Sequence, residues 1–236
     1  MKPFNKIIKY ESGIKISPDY IVPAKNRLPQ WYKDDTRLPK DQKRFQDKHI
    51  KHCIPFLDAL TTGYHIVTAQ DIIAIQIEGK TRLEWINYEE PGYAPEEFVP
   101  ADIRTSERAI TLPTPAGFDD THFVWSLHGT LELPKGYSAI FTHPLNQYDL
   151  PFFTLSGVVD DFVMHSGKIP FFVKSGFEGL IPKGTPLMQI IPFKREDWDS
   201  KEEPGLYAKS ELNRQQSTTT FRGWYKNNIW KQKKYN

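Results

Sequence analysis

The stretch Asp71-Ile72-Ile73-Ala74-Ile75-Gln76-Ile77-Glu78-Gly79-Lys80-Thr81-Arg82-Leu83-Glu84-Trp85-Ile86-Asn87-Tyr88 decides the fold class. β-Branched residues crowd its first half, residues 78–81 carry turn chemistry, and residues 82–88 alternate apolar and polar side chains. Alternation at period two puts one face of a strand on a core and the other in water, so the stretch reads as a β-hairpin. On either side, similar short runs recur at 63–68, 122–127, 130–133, 139–142, 154–159, 169–173 and 187–192. Pro134-Lys135-Gly136 and Pro182-Lys183-Gly184 punctuate two of the junctions. Helix signals are few; residues 54–60 predict one or two turns. Many short strands with Pro/Gly turns predict an all-β domain, a barrel or sandwich, over residues 53–196.

The flanks differ in charge. The chain of 236 residues has a formal net charge of only +2, yet residues 1–52 carry a surplus of +7, residues 53–193 a deficit of −9, and residues 194–236 a surplus of +4. Two basic ends on an acidic middle can contact nucleic acid, whose phosphates reward clustered cations. They can also lie on acidic protein surfaces, of the same chain or of a neighbour, or be simply solvated. The last stretch, 221–235, combines five aromatics and five cations with no acid. Disordered tails are poor in aromatics, so this one is expected to dock, with Trp224, Tyr225 and Trp230 as anchors. In the N-terminal part, prolines recur among apolar anchors, Trp31 and Tyr32 foremost. Proline removes backbone donors and fixes φ, so an extended, docked segment is expected rather than a helix or an inner strand. The division is thus a basic Pro-rich arm over 1–52, a β-rich core over 53–196 and a basic aromatic arm over 197–236. Cys53 is the single cysteine, so no internal disulfide can form and an intracellular or virion setting is expected. No apolar run approaches the roughly 20 residues that cross a bilayer, and residues 1–5 lack a secretory hydrophobic core.

Four passages set a family beside this reading. Ala116-Gly117-Phe118-Asp119, the run from His128 to Tyr137 with its Leu133-Pro134-Lys135-Gly136-Tyr137 end, Gly157-Val158-Val159-Asp160-Asp161, and the run from Ile181 to Ile191 follow one another in order. Together they resemble the dUTPase and dCTP-deaminase superfamily, over about residues 115–196. The resemblance implies a β-clip fold, trimers, and an aspartate, here Asp160, at the substrate site. The phosphate-gripping motif is not matched. Where that family places Arg-Ser-Gly, this chain reads His143-Pro144-Leu145-Asn146, and the Gly-rich C-terminal flap has no counterpart. Arginine suits a phosphate because its planar fork donates in pairs, so the scaffold is expected to persist without its pocket. Separately, the run from Lys51 to Tyr64, with Trp31-Tyr32-Lys33 upstream, resembles an uncharacterised family frequent in tailed-phage genomes, which implies phage origin.

Candidate chemistry is sparse. If the chain is an enzyme, Asp160 is the candidate general base, and Asp119 or Asp161 would help place a metal; the structural alternative is turn formation. The seven histidines include no metal-binding spacing, so no metal and no cofactor are expected. Cys53 lies in an apolar context that suits packing. An acidic aromatic loop, 88–98, reads as an excursion between strands or a docking place for a tail. The expected function is therefore a non-enzymatic structural protein of a phage virion, such as a capsid decoration or a head or tail accessory, in the particle or in host cytoplasm during assembly. Its expected partners are further copies of itself, three in a trimer, and other virion proteins, with nucleic acid and membrane not expected. The second expectation is a divergent nucleotide hydrolase or deaminase.

Overall fold

A computed structural model describes residues 6–12, 20–35, 50–85, 101–103, 112–127, 129–163, 167–219 and 223–236. The expected loop at 88–98 lies outside them. The described chain is mostly β, in four antiparallel sheets, none of which closes into a barrel.

The deciding hairpin forms as β4 (Ile72–Ile77) and β5 (Lys80–Trp85), in register from Ile72 opposite Trp85 to Ile77 opposite Lys80. Its turn is shorter than the sequence suggested. Glu78 and Gly79 have φ of 51° and 76°, the positive pair of a two-residue turn whose twist matches its strands. Lys80 therefore pairs at once. A third strand, β14 (Gly179–Ile181), joins the other side of β4.

The largest sheet has five strands in the order β11 (Gly157–Asp160), β9 (Tyr137–Thr142), β15 (Pro186–Lys194), β3 (Tyr64–Val67) and β2 (Ile21–Pro23). A four-stranded sheet packs β10 (Phe152–Thr154), β13 (Lys168–Lys174), β7 (Phe118–Ser126) and β6 (Ala101–Ile103). The remaining three strands are β1 (Lys9–Ser12), β8 (Gly129–Glu132) and β12 (Phe162–Val163). Both Pro-Lys-Gly sequences turn the chain alike. Tyr137 donates its N–H to the Pro134 carbonyl at 3.0 Å and Thr185 to that of Pro182 at 3.1 Å. Gly136 and Gly184, with φ of 81° and 84°, occupy the third position, where a type II turn demands a left-handed residue.

The main core lies between the sheets. Trp125 stacks on Phe171 with ring centroids 3.5 Å apart and meets Phe152 edge-on at 5.0 Å. Its buried indole N–H donates to Thr154 Oγ1 at 3.0 Å, and that hydroxyl donates to the Leu187 carbonyl at 2.7 Å. One hydroxyl thus satisfies a buried donor and ties β10 to β15.

The N-terminal part is woven into this body. β1 pairs with β8, β2 forms an edge of the five-stranded sheet, and Tyr20 and Ile21 belong to the main core. Pro23 ends β2, in keeping with proline at an edge. One turn of helix, α1 (Gln30–Asp34), follows Pro29 where an extended chain was expected. Proline lacks only an N–H that a helix start leaves unpaired, so it can precede the first turn. The expected turns at 54–60 form as α2 (Ile54–Thr61), with Pro55 in its first turn. Towards the C-terminus come α3 (Leu206–Thr219) and α4 (Trp224–Asn228). Among the described residues, no helix is long and apolar enough to cross a membrane.

Candidate functional site

Asp160 closes β11 opposite Ser138 of β9, and Asp161 turns the corner into β12 with φ of 26°. The Ser138 hydroxyl donates to the Asp160 carboxylate. The Asp161 backbone carbonyl accepts the Leu133 N–H at 2.7 Å. Just past β15, Arg195 is held by its own N–H on the Gly136 carbonyl, at 2.9 Å. Its guanidinium reaches Asp161 Oδ1 at 2.7 Å and Asp160 Oδ1 at 3.5 Å. All three side chains are well exposed, so solvent screens these pairs to at most about 1 kcal/mol each. The arrangement is an open ion-pair cluster at a sheet corner rather than a closed cavity.

Asp119 lies elsewhere. It sits near the start of β7, in the four-stranded sheet, where its carboxylate accepts the Thr81 hydroxyl from β5. The three aspartates thus do not share one site: Asp119 ties the hairpin to β7, while Asp160 and Asp161 share Arg195 and tie β11 and its corner to the end of β15. Among the described residues, no group of three or more His, Cys, Asp or Glu side chains is placed to hold a metal ion.

Three of the described histidines are packed singly. His143 is buried against Phe153, with ring centroids 5.1 Å apart. Its Nδ1 accepts the Thr154 N–H at 3.3 Å, so its Nε2 carries the proton and donates to the Gln147 carbonyl at 3.0 Å. Burial, above all, lowers its pKa. The segment standing where the resembled family grips phosphate is thus an internally bonded turn. His122 stacks on Phe172. His65, fully buried on β3, sits beside Gln189, whose side chain pulls its pKa up against the effect of burial. Burial first, then the Arg27 charge, push the His65 pKa down to about 4. Cys53, in its apolar context, is exposed at the N-cap of α2.

The aromatic anchors converge in part, and α2 is where they meet. Tyr32 is buried and stacks on Phe56 of α2 at 6.1 Å, with Trp31 edge-on to Phe56 at 6.2 Å. The Lys51 ammonium lies over the Tyr32 ring, 5.2 Å from its centroid. On the same helix, Asp58 accepts the Trp230 indole N–H at 2.9 Å and pairs with Lys233. Beyond it Tyr235 meets Tyr64 edge-on at 5.8 Å, and Lys25 donates to Asn236 Oδ1 at 2.6 Å. Burial raises the pKa of both tyrosines. Both basic ends thus lie on one short helix and the neighbouring strand of their own chain. Trp224 and Tyr225 sit in α4, the first half-buried and the second exposed.

Asp58, Tyr64, Gln189 and Arg195 escaped the sequence reading. Asp58 alone had a visible signal, as the lone acid of an otherwise apolar helical run. No protein-family model matches this sequence, and no curated protein matches it.

Proposed function

We propose that this chain is a non-enzymatic structural protein of a phage particle, built on a β-clip-type core and assembling through its aromatic ends. The observation that carries the reading is the C-terminal arm. It leaves β15 and presents Trp198 and Tyr207 to solvent at 87% and 84% exposure, on a segment whose helix α3 has no buried residue. Trp and Tyr are among the residues that dominate interface energy, so this arm offers anchors to a partner. The carboxylates and His143 fit the same reading, since each is bonded within the fold. The test is a full-length chain carrying Trp224→Ala and Trp230→Ala. It should lose self-association or incorporation into particles while its circular dichroism stays unchanged. Normal assembly of that variant overturns the reading.

One observation favours a second reading, a divergent dUTPase- or dCTP-deaminase-like nucleotide hydrolase. Arg195 stands beside Asp160 and Asp161, the combination of cation and carboxylate such chemistry needs. A nucleotide panel with magnesium, manganese or zinc decides it. Turnover that vanishes in Arg195→Ala and Asp160→Asn supports this reading, and neither turnover nor a thermal shift with any nucleotide removes it.

A further inference from the structure

We infer that the C-terminal tail, residues 224–236, docks on helix α2 of a second copy of this chain, so that copies are tied together by exchanged tails. The inference rests on the reading of the protein as an assembling one and names the surface, the segment and the partner. The docking surface is already built: Asp58 takes Trp230 and Lys233, Tyr64 takes Tyr235, and Lys25 takes Asn236. It also suits the tail in charge. Lys226, Lys231, Lys233 and Lys234 bring four cations to a domain with a net deficit of −9 over residues 53–193. Steering of this sign works between molecules as well as within one.

The path of the chain argues for exchange. β15 passes close to this surface at Ile190, whose carbonyl lies against Gly63 just past the end of α2. Strand β15 ends at Lys194, which at ~3.3 Å per residue is roughly 13 Å further on. A direct return to α2 would need a handful of residues. Instead the chain makes a long excursion that includes α3, whose 14 residues span about 21 Å. From 193 to 219 every residue is exposed except Glu211 and Asn213, which are intermediate. A helix of this length with no packed face is marginal in water. Leu206, Tyr207 and Leu212 on it, and Trp198 before it, all stay more than half exposed. An excursion that crosses to a neighbour uses all of these features. The tail makes the same bonds on either copy, and crossing adds burial of the arm's apolar side chains against the neighbour. Docking within one copy competes only through its effective concentration, so exchange grows with protein concentration and in a particle.

The test is photo-crosslinking of the full-length chain with Tyr235→p-benzoylphenylalanine, irradiated across a range of concentrations, with the molar mass followed by light scattering. Exchange gives a covalent species of twice the chain mass, in which the tail is joined to peptides from residues 54–67. Its yield rises with concentration and falls about tenfold when Asp58→Ala is added. Cross-links confined to single chains, in a sample that scatters as an oligomer, overturn the exchange and leave the structural function standing. A sample that stays monomeric at every concentration overturns both.

Discussion

Gln189 is the side chain whose loss should be felt most widely. It is fully buried on β15. Its Oε1 accepts the Leu145 N–H at 2.8 Å, and its Nε2 donates to the carbonyls of Ala59 at 2.9 Å and Thr62 at 2.6 Å. The last carbonyls of a helix have no partner within it, so this distant amide caps the C-terminal end of α2 and also pins the turn that carries His143. Gln189→Met keeps the volume nearly constant, so little cavity cost arises. It strands one donor and two acceptors instead. A stranded buried group costs about 1–3 kcal/mol, and these sites are only partly closed to water, so the lower end applies and the total is about 3 kcal/mol. For a domain of this size each kcal/mol lowers Tm by about 2–4 °C, giving a fall of about 6–12 °C. Thermal unfolding followed by circular dichroism reads it directly. A fall below about 2 °C would show that water replaces the amide, and the account of α2 as anchored from the sheet would be wrong.

Three further outcomes follow from single positions. Gly63 has φ of 71°, and a Cβ there would lie 2.0 Å from the Ile190 carbonyl oxygen; Gly63→Ala should cost about 3 kcal/mol or more in denaturant unfolding, and a silent substitution would refute that packing. Glu78 holds a left-handed conformation that asparagine tolerates better, so Glu78→Asn should raise stability by roughly 0.5–1 kcal/mol, an increase that an unchanged urea midpoint would contradict. His65 is buried neutral with its pKa lowered from 6.5 to about 4. The unfolded chain therefore binds the extra proton first as pH falls: stability is complete above about pH 6.5 and drops by on the order of 3 kcal/mol towards pH 4. His65→Leu should flatten that slope in pH-dependent urea melts, and an unchanged slope would assign it to other groups.

What the sequence made legible was local. The period-two pattern of residues 82–88 and the β-branched run of 72–77 announced a hairpin, because both strands and their turn lie within one short window. Both Pro-Lys-Gly turns and the helix at 54–60 were visible for the same reason. The short turn at Glu78 was not, since glutamate rarely takes a positive φ and nothing in its neighbours marks the exception. α3 was missed because Leu206, Tyr207 and Leu212 do not build an apolar stripe, and its helix presents no buried face for a pattern to record. Of the two expected helpers of Asp160, Asp161 stands beside it and Asp119 does not, because sheet order rather than spacing placed Asp119. Arg195 meets Asp161 across 34 positions and Trp230 meets Asp58 across 172. Contacts of that separation follow from how sheets and tails pack, which no window of sequence displays. That the aromatic tail would dock was legible from its composition; where it docks was not.

Association through the aromatic ends is the proposal on which the assembly reading stands. Its most direct measurement is the molar mass in solution of the purified full-length chain, by light scattering over a wide concentration range. A multiple of the chain mass is expected, three by the β-clip resemblance, collapsing towards one copy when Trp224 and Trp230 are both replaced by alanine. A single-chain mass at every concentration, for the unaltered protein, would contradict it.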